Sequence, residues 1–196
     1  MTRRTHFTVV LLIVCSALGA CTGKPDPRLI SQAVRDGCSD HKATEAAALA
    51  RQAFPDTLPA SDRGLARNEF IRRNRWKLFA SAGATGLTSD EFLSAKWAGF
   101  LAQLPAGRCV VTERDFMDRF LGDPSDPRSG WKVPYQPYVY RGLFQSLDKD
   151  QKGFLTKADI RGWVGAAFGH ADQNRDGLVS QDELTRPAHR RSDTDR

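Results

Sequence analysis

Apolar and polar residues follow each other along this chain with a helical period, not the strict alternation of half-buried strands. One run breaks the pattern. Phe7 to Ala20 is a 14-residue stretch of apolar or small residues, too short to cross a bilayer. Beyond it, Leu29 to Arg35 is a short helix candidate ended by Asp36-Gly37. Ser39 to Phe54 is a better one, with Ser39 or Asp40 as N-cap, an alanine-rich middle and Pro55 as its stop. Ser61 to Phe79 predicts a longer helix, capped by Ser61 or Asp62 and anchored by Ile71, Trp76, Leu78 and Phe79. Tyr140, Phe144 and Leu147 recur at i, i+4 and i+7. Ile160, Trp163, Val164, Ala167 and Phe168 form a stripe wide enough to face a core. Between these regions, Gly122 to Pro137 carries Pro124, Pro127, Gly130, Pro134 and Pro137 and reads as a stiff linker. The expected class is all-α.

A repeat underlies the helices. A shift of 68 lays Phe79 on Leu147, Leu87 on Leu155, Glu91 on Asp159, Phe100 on Phe168, Val111 on Val179 and Phe116 on Leu184. It defines four twelve-residue segments, 80–91, 104–115, 148–159 and 172–183, called loops 1 to 4 below. Within each copy the two loops start 24 residues apart, as 148 and 172 do, so one helix leaves the first loop and enters the second. Every loop ends in S/T-x-x-D/E: Thr88 with Glu91, Thr112 with Asp115, Thr156 with Asp159, and Ser180 with Glu183. In that pattern the hydroxyl caps a helix and the acid reaches back to the cap.

Loop 4 carries the most specific chemistry. Asp172, Asn174 and Asp176 stand at its first, third and fifth places, Gly177 at the sixth, Ser180 at the ninth and Glu183 at the twelfth. That spacing wraps hard oxygen donors around one Ca²⁺. The segment resembles the EF-hand family, and the resemblance implies two EF-hand pairs with short β-bridges between paired loops, preceded by N-terminal helices. It also implies a backbone carbonyl ligand from Leu178, two oxygens from Glu183, and a β-bridge from Val179 to Leu155 of loop 3. Loop 3 fits with Asp148, Asp150, the carbonyl of Phe154, Thr156 and Asp159, but Lys152 at the fifth place brings a positive charge where an oxygen belongs. The shorter Asp159 would lower calcium affinity and tolerate Mg²⁺ better. One or two Ca²⁺ are therefore expected. Loops 1 and 2 have Ala80, Ala82 and Ala84, and Leu104, Ala106 and Arg108, where ligands should be, and are read as scaffold. Their turn glycine is displaced, with Thr85 and Cys109 at the sixth place and Gly86 after Thr85.

The chain's first residues set its compartment. Arg3 and Arg4 precede the apolar run, the layout of a secretory signal. The run closes on Leu18-Gly19-Ala20-Cys21, which resembles the lipobox of bacterial lipoproteins and implies lipidation of Cys21; an ordinary signal peptide is the alternative. Thr22, which is not Asp, favours the outer membrane on that family rule. Cys38 and Cys109 are left as a pair in an oxidising setting, either bridged as a disulfide or buried as two thiols. The organisation expected is a signal peptide (1–20), a tether with N-terminal helices (21–60), a degenerate pair (61–121), a linker (122–137), a calcium-binding pair (138–187) and a basic tail (188–196).

Charge adds little. The formal +6 becomes +4 without Arg3 and Arg4, 27 basic against 23 acidic residues. Contact with nucleic acid is not expected of an exported chain. The basic stretch Ser61 to Phe79 would meet lipid phosphates or an acidic envelope polymer, or is simply a solvated helix face. Trp131, Tyr135, Tyr138 and Tyr140 form either a partner patch or linker packing. His41, His170 and His189 lie far apart, no G-x-S-x-G elbow occurs and no phosphate-cradling glycine loop is present, so no enzyme is expected. Two classes remain: a calcium-dependent interaction or sensor module in the cell envelope with an unidentified envelope protein or polymer as partner, and a structural lipoprotein whose Ca²⁺ only stabilises the fold.

Overall fold

The computed structural model describes residues 27–120 and 136–185. Among these residues the fold is all-α with one two-stranded ladder. In chain order its elements are α1 (Pro27–Gly37), α2 (His41–Ala53), α3 (Ala60–Arg73), α4 (Arg75–Phe79), α5 (Ser89–Gln103), β1 (Val111–Thr112), α6 (Glu113–Phe120), α7 (Gln136–Leu147), β2 (Phe154–Leu155), α8 (Lys157–Ala171) and α9 (Gln181–Thr185). Among the described residues no helix is long and apolar enough to cross a membrane. The signal, Cys21, the greater part of the proline-rich linker and the tail lie outside the described residues. So do Trp131 and Tyr135, and the side chains of Tyr138 and Tyr140.

The core is gathered on α5, where Phe92, Leu93, Trp97, Ala98, Leu101 and Ala102 are all buried. Against it lies α2, whose Ala43, Ala46, Ala47 and Ala50 recur at i, i+3, i+4 and i+7 and are at most 1% exposed. Small side chains at that spacing let two helices approach closely. Asp40 caps α2, accepting from the Ala43 N–H at 3.1 Å. Phe92 meets Phe168 of α8 edge to face with ring centroids 5.6 Å apart, and Phe116 of α6 meets Phe144 of α7 in the same way.

The expected helix from Ser61 to Phe79 is two helices. It breaks at Asn74, whose side-chain amide donates to the Phe70 carbonyl at 2.9 Å and competes with the helical ladder. Its start also falls earlier than expected, with Ala60 as the first helical residue and Pro59, not Ser61 or Asp62, at the N-cap position.

The expected pairing of loops is corrected. Leu155 does not bridge Val179. Instead β1 of loop 2 pairs antiparallel with β2 of loop 3, in the register Val111↔Leu155 and Thr112↔Phe154. Leu87 of loop 1 bridges Val179 of loop 4, each N–H donating to the other's carbonyl at 2.9 Å. Helix length is the reason. The 15 residues of α5 or α8 rise about 22 Å at 1.5 Å per residue, which holds the two loops of one copy apart. Each loop therefore finds its partner in the other copy. Gly86 serves this bridge: a Cβ there would stand 2.5 Å from the Leu178 Cβ, so only glycine allows loops 1 and 4 to close.

A disulfide joins Cys38 to Cys109 across 71 residues, with Cα atoms 5.3 Å apart. It pins the end of α1 onto loop 2. Gly37 makes room, since a Cβ there would fall 2.3 Å from the Cys109 carbonyl oxygen.

Candidate metal centre

Loop 4 connects α8 to α9. Asp172 is 8% exposed at the C-terminal end of α8; its Oδ1 accepts from the Asp176 N–H at 3.2 Å and its Oδ2 from the Gly177 N–H at 3.0 Å. Those bonds hold a turn in which Arg175 (φ 61°) and Gly177 (φ 84°) are left-handed. Asn174 Oδ1 also accepts from the Asp176 N–H, and Asp176 Oδ1 from the Leu178 N–H at 2.8 Å. Glu183 closes the loop. Its Oε2 accepts from the Ser180 N–H and hydroxyl at 2.9 and 2.7 Å, and the Glu183 N–H donates to Ser180 Oγ at 3.3 Å, completing the capping box. Its Oε1 faces the loop and accepts from the N–H groups of Gln173 and Asn174 at 2.8 and 3.3 Å. The Ser180 bonds first, then those from Gln173 and Asn174, outweigh the opposing effect of burial and draw the Glu183 pKa down to about 2.

Loop 3 repeats this backbone. Asp148, 5% exposed, accepts from the Lys152 N–H at 3.1 Å and the Gly153 N–H at 2.8 Å. Gln151 (φ 54°) and Gly153 (φ 80°) are left-handed at the same two places. Thr156 donates through its N–H and hydroxyl to Asp159 Oδ2 at 2.6 and 2.7 Å. The side chains differ at the fifth place. The Lys152 ammonium lies 2.7 Å from Asp150 Oδ1, 2.7 Å from Asp159 Oδ1 and 3.5 Å from Asp148 Oδ1. Burial alone would lower the Lys152 pKa, but the bonds and charges of Asp150 and Asp159 outweigh it and hold the pKa above the usual lysine value.

Loops 1 and 2 keep the capping boxes and replace the rest. Their left-handed turn falls on Gly83 (φ 75°) and Gly107 (φ 78°), both at the fourth place, and the sixth place is not left-handed. In loop 1 Glu91 accepts from Ser81 at 2.6 Å and from the Thr88 N–H at 3.0 Å, while Lys42 of α2 stands 3.8 Å from it and donates to the Phe79 carbonyl. In loop 2 the Arg108 guanidinium contacts both oxygens of Asp115 at 3.2 and 3.1 Å. Arg51 and the buried Arg67 donate to the Leu101 and Ala102 carbonyls in the last turn of α5, where the Leu101 carbonyl also accepts from the Leu104 N–H.

The structure thus brings Asp172, Asn174, Asp176, Ser180 and Glu183 onto one loop, and Asp148, Asp150, Thr156 and Asp159 onto another. The Leu178 and Phe154 carbonyls stand beside the two bridging residues. Among the described residues no group of three or more His, Cys, Asp or Glu side chains converges as a metal cluster; the loop 4 acids turn to backbone N–H groups instead. Their chemistry still fits Ca²⁺, for every donor is a hard oxygen and the turn carries glycine at its sixth place.

Four of the six basic side chains between Ser61 and Phe79 are paired within the fold: Arg63 and Arg67 with Asp56, and Arg72 and Arg73 with Glu69. Hydrogen bonds from Arg72 and then Arg73 take the Glu69 pKa down to about 2. Sequence reasoning missed Lys42 and Gly86. No local signal marks Lys42, whereas the glycine directly before Leu87 was a visible sign of close backbone approach. Compared with protein-family models, curated proteins and solved structures, the chain matches none.

Proposed function

We propose that this chain is an exported, lipid-anchored EF-hand protein that takes up Ca²⁺ at loop 4 and uses it to fix an interaction surface in the cell envelope. One observation carries the reading. Loop 4 is the loop whose acids have no basic partner among the described residues, whereas the twelfth-place acids of loops 1, 2 and 3 each face a lysine or arginine. Asp172, Asp176 and Glu183 put three carboxylates on twelve residues, and their mutual repulsion is what a divalent cation relieves.

Asp172, Asn174, Asp176, Glu183 and the Leu178 carbonyl would hold the ion, with Ser180 beside it. Bound, the ion supplies a divalent positive charge at the end of α8. Glu183 Oε1, which accepts from the Gln173 and Asn174 N–H groups, would be the oxygen offered to the ion, and through it the seat of α9 would be coupled to calcium. The apolar run with its lipobox supports export and acylation at Cys21, and the Cys38–Cys109 bridge suits an oxidising compartment. The partner in this reading is an envelope protein or polymer.

A second reading, calcium as a purely structural ion, is favoured by the bracing of the fold. Leu87 and Val179 are fully buried and their bridge has both hydrogen bonds, which leaves little apolar surface in loop 4 to release.

Calorimetric titration with CaCl₂ tests the first step. The wild-type chain should bind, and Asp172→Ala should abolish binding at loop 4; no heat in either sinks the calcium reading. Dye fluorescence then separates the two readings. A module exposes apolar surface when Ca²⁺ is added, and a structural site covers it.

A further inference from the structure

Loops 3 and 4 share their backbone, yet the fifth place is Lys152 in one and Asp176 in the other. The Lys152 side chain is 14% exposed and folds back over its own loop. Its ammonium contacts Asp150 and Asp159 at 2.7 Å and Asp148 at 3.5 Å, so one nitrogen with three protons faces acids of the first, third and twelfth places. Those are the side chains that would otherwise hold a divalent ion. The Phe154 ring covers the same nitrogen, with its centroid 5.5 Å away.

We propose that Lys152 is the resident cation of loop 3: its ammonium stands among these acids in place of a divalent ion, so loop 3 takes no Ca²⁺ and the loop 2–loop 3 end is built without metal.

The neighbouring loop points the same way. Loop 2, the partner of loop 3 in the ladder, also carries its cation at the fifth place, as Arg108 on Asp115. Both loops at that end thus carry a cation on the residue that would be a ligand in a calcium loop. At the other end, loop 1 borrows Lys42 from α2 and loop 4 has none among the described residues. A calcium ion entering loop 3 would have to expel an ammonium that already satisfies three carboxylates, then share a half-buried site with a like charge. Either requirement lowers affinity by roughly a hundredfold or more.

The inference shares with the proposed function the reading of these loops as calcium frames, but its test does not need loop 4 to bind. Calorimetric titration with CaCl₂ gives the stoichiometry, and circular dichroism checks that each variant is folded. The wild type should bind one ion, lost in Asp172→Ala. Lys152→Asp, which completes the acidic set of loop 3, should bind two, and the second should survive when Asp172→Ala is added. Lys152→Met keeps the aliphatic stem and removes the charge; in chelator its thermal midpoint should fall by several degrees, because three carboxylates then face one another without a cation. If Lys152→Asp binds an ion while the wild type binds none, the loop 4 reading fails and this one stands. Two ions on the wild type, one of them lost in Asp148→Ala, would overturn the inference and leave loop 4 intact. An unchanged midpoint for Lys152→Met in chelator would also overturn it.

Discussion

In loop 3 the fifth residue is a lysine and in loop 4 an aspartate, on a backbone that is the same in both. The first-place Asp accepts the same two N–H groups, and the left-handed residues fall at the fourth and sixth places in each. Loop 3 sets a cation of its own, the Lys152 ammonium, among three carboxylates. Loop 4 turns its acids to backbone N–H groups, and among the described residues no basic side chain pairs with them. On the proposed reading, backbone geometry alone does not make a calcium site; the sign of one side chain would decide whether the frame is filled from within or from solution. Loops 1 and 2 take this further. They give up one of the two left-handed positions and are held by Lys42, Arg51, Arg67, Arg108 and a disulfide.

If three loops are braced by the chain itself, removing a brace should cost stability and leave calcium binding at loop 4 in place. The largest effect is expected for Cys38→Ser, which opens a 71-residue span and should lower unfolding stability by about 4 kcal/mol in urea titrations. Its loop 4 affinity, measured below the unfolding midpoint, should match the wild type.

Gly86→Ala tests the crossed pairing more directly. Its Cβ meets Leu178, so it should cost about 2 kcal/mol and weaken Ca²⁺ uptake at loop 4, a segment more than 80 residues away in sequence. An unchanged calcium affinity would mean that loops 1 and 4 are not coupled.

Asp40→Asn comes next. The Asp40 carboxylate is 2.7 Å from Lys157, which ties α2 to the start of α8. Burial pushes the Asp40 pKa up, but bonds from Lys157, the Ala43 N–H and Ser94 prevail and leave it below its ordinary value of 3.8. The folded chain thus takes up this proton less readily than the unfolded one, and acid favours unfolding. The variant keeps the cap and loses the ion pair, so it should cost about 1 kcal/mol near neutral pH. Its deficit against the wild type should be full above pH 4 and shrink as the pH falls through the lowered folded value. The smallest effect is expected for Arg161→Ala, because the Arg161–Asp90 pair is 63% and 75% exposed; about 0.5 kcal/mol or less should be lost, more of it at low salt.

Much of the fold was legible in local patterns. The apolar stripe at Ile160, Trp163, Val164, Ala167 and Phe168 is a helix, the alanine run after Asp40 is a helix capped by that residue, and the four S/T-x-x-D/E segments form the bonds their spacing suggests. These signals act over three to eight residues, within the reach of one helical turn or two. The candidate site was legible to the same depth, since the ligand-bearing residues of each loop lie within twelve positions. What was not legible required distance. Asn74 splits a helix that charge and apolar spacing predict as one, and Arg67, one of a basic run, is buried because three oxygens on two segments receive it, those of Phe54 and Asp56 after α2 and that of Ala102 at the end of α5. Lys152 was visible as a misfit in a ligand pattern. That it contacts three acids at once needed the folded loop.

The hard-oxygen residues of loop 4 at their spacing, the 68-residue repeat and the one helix shared by each copy's two loops were determined by the sequence itself, because they depend on residue type and spacing along one segment. Which loop bridges which was decided only in three dimensions. Two 15-residue helices keep the loops of one copy apart, and packing α5 against α8 brings loop 1 to loop 4 and loop 2 to loop 3. The same packing chose the cations. Lys42 reaches loop 1 because the alanine face of α2 sits on α5, and Lys157 reaches Asp40 across 117 residues for a related reason. Charge balance is a property of volumes in space, and the chain's order does not record it.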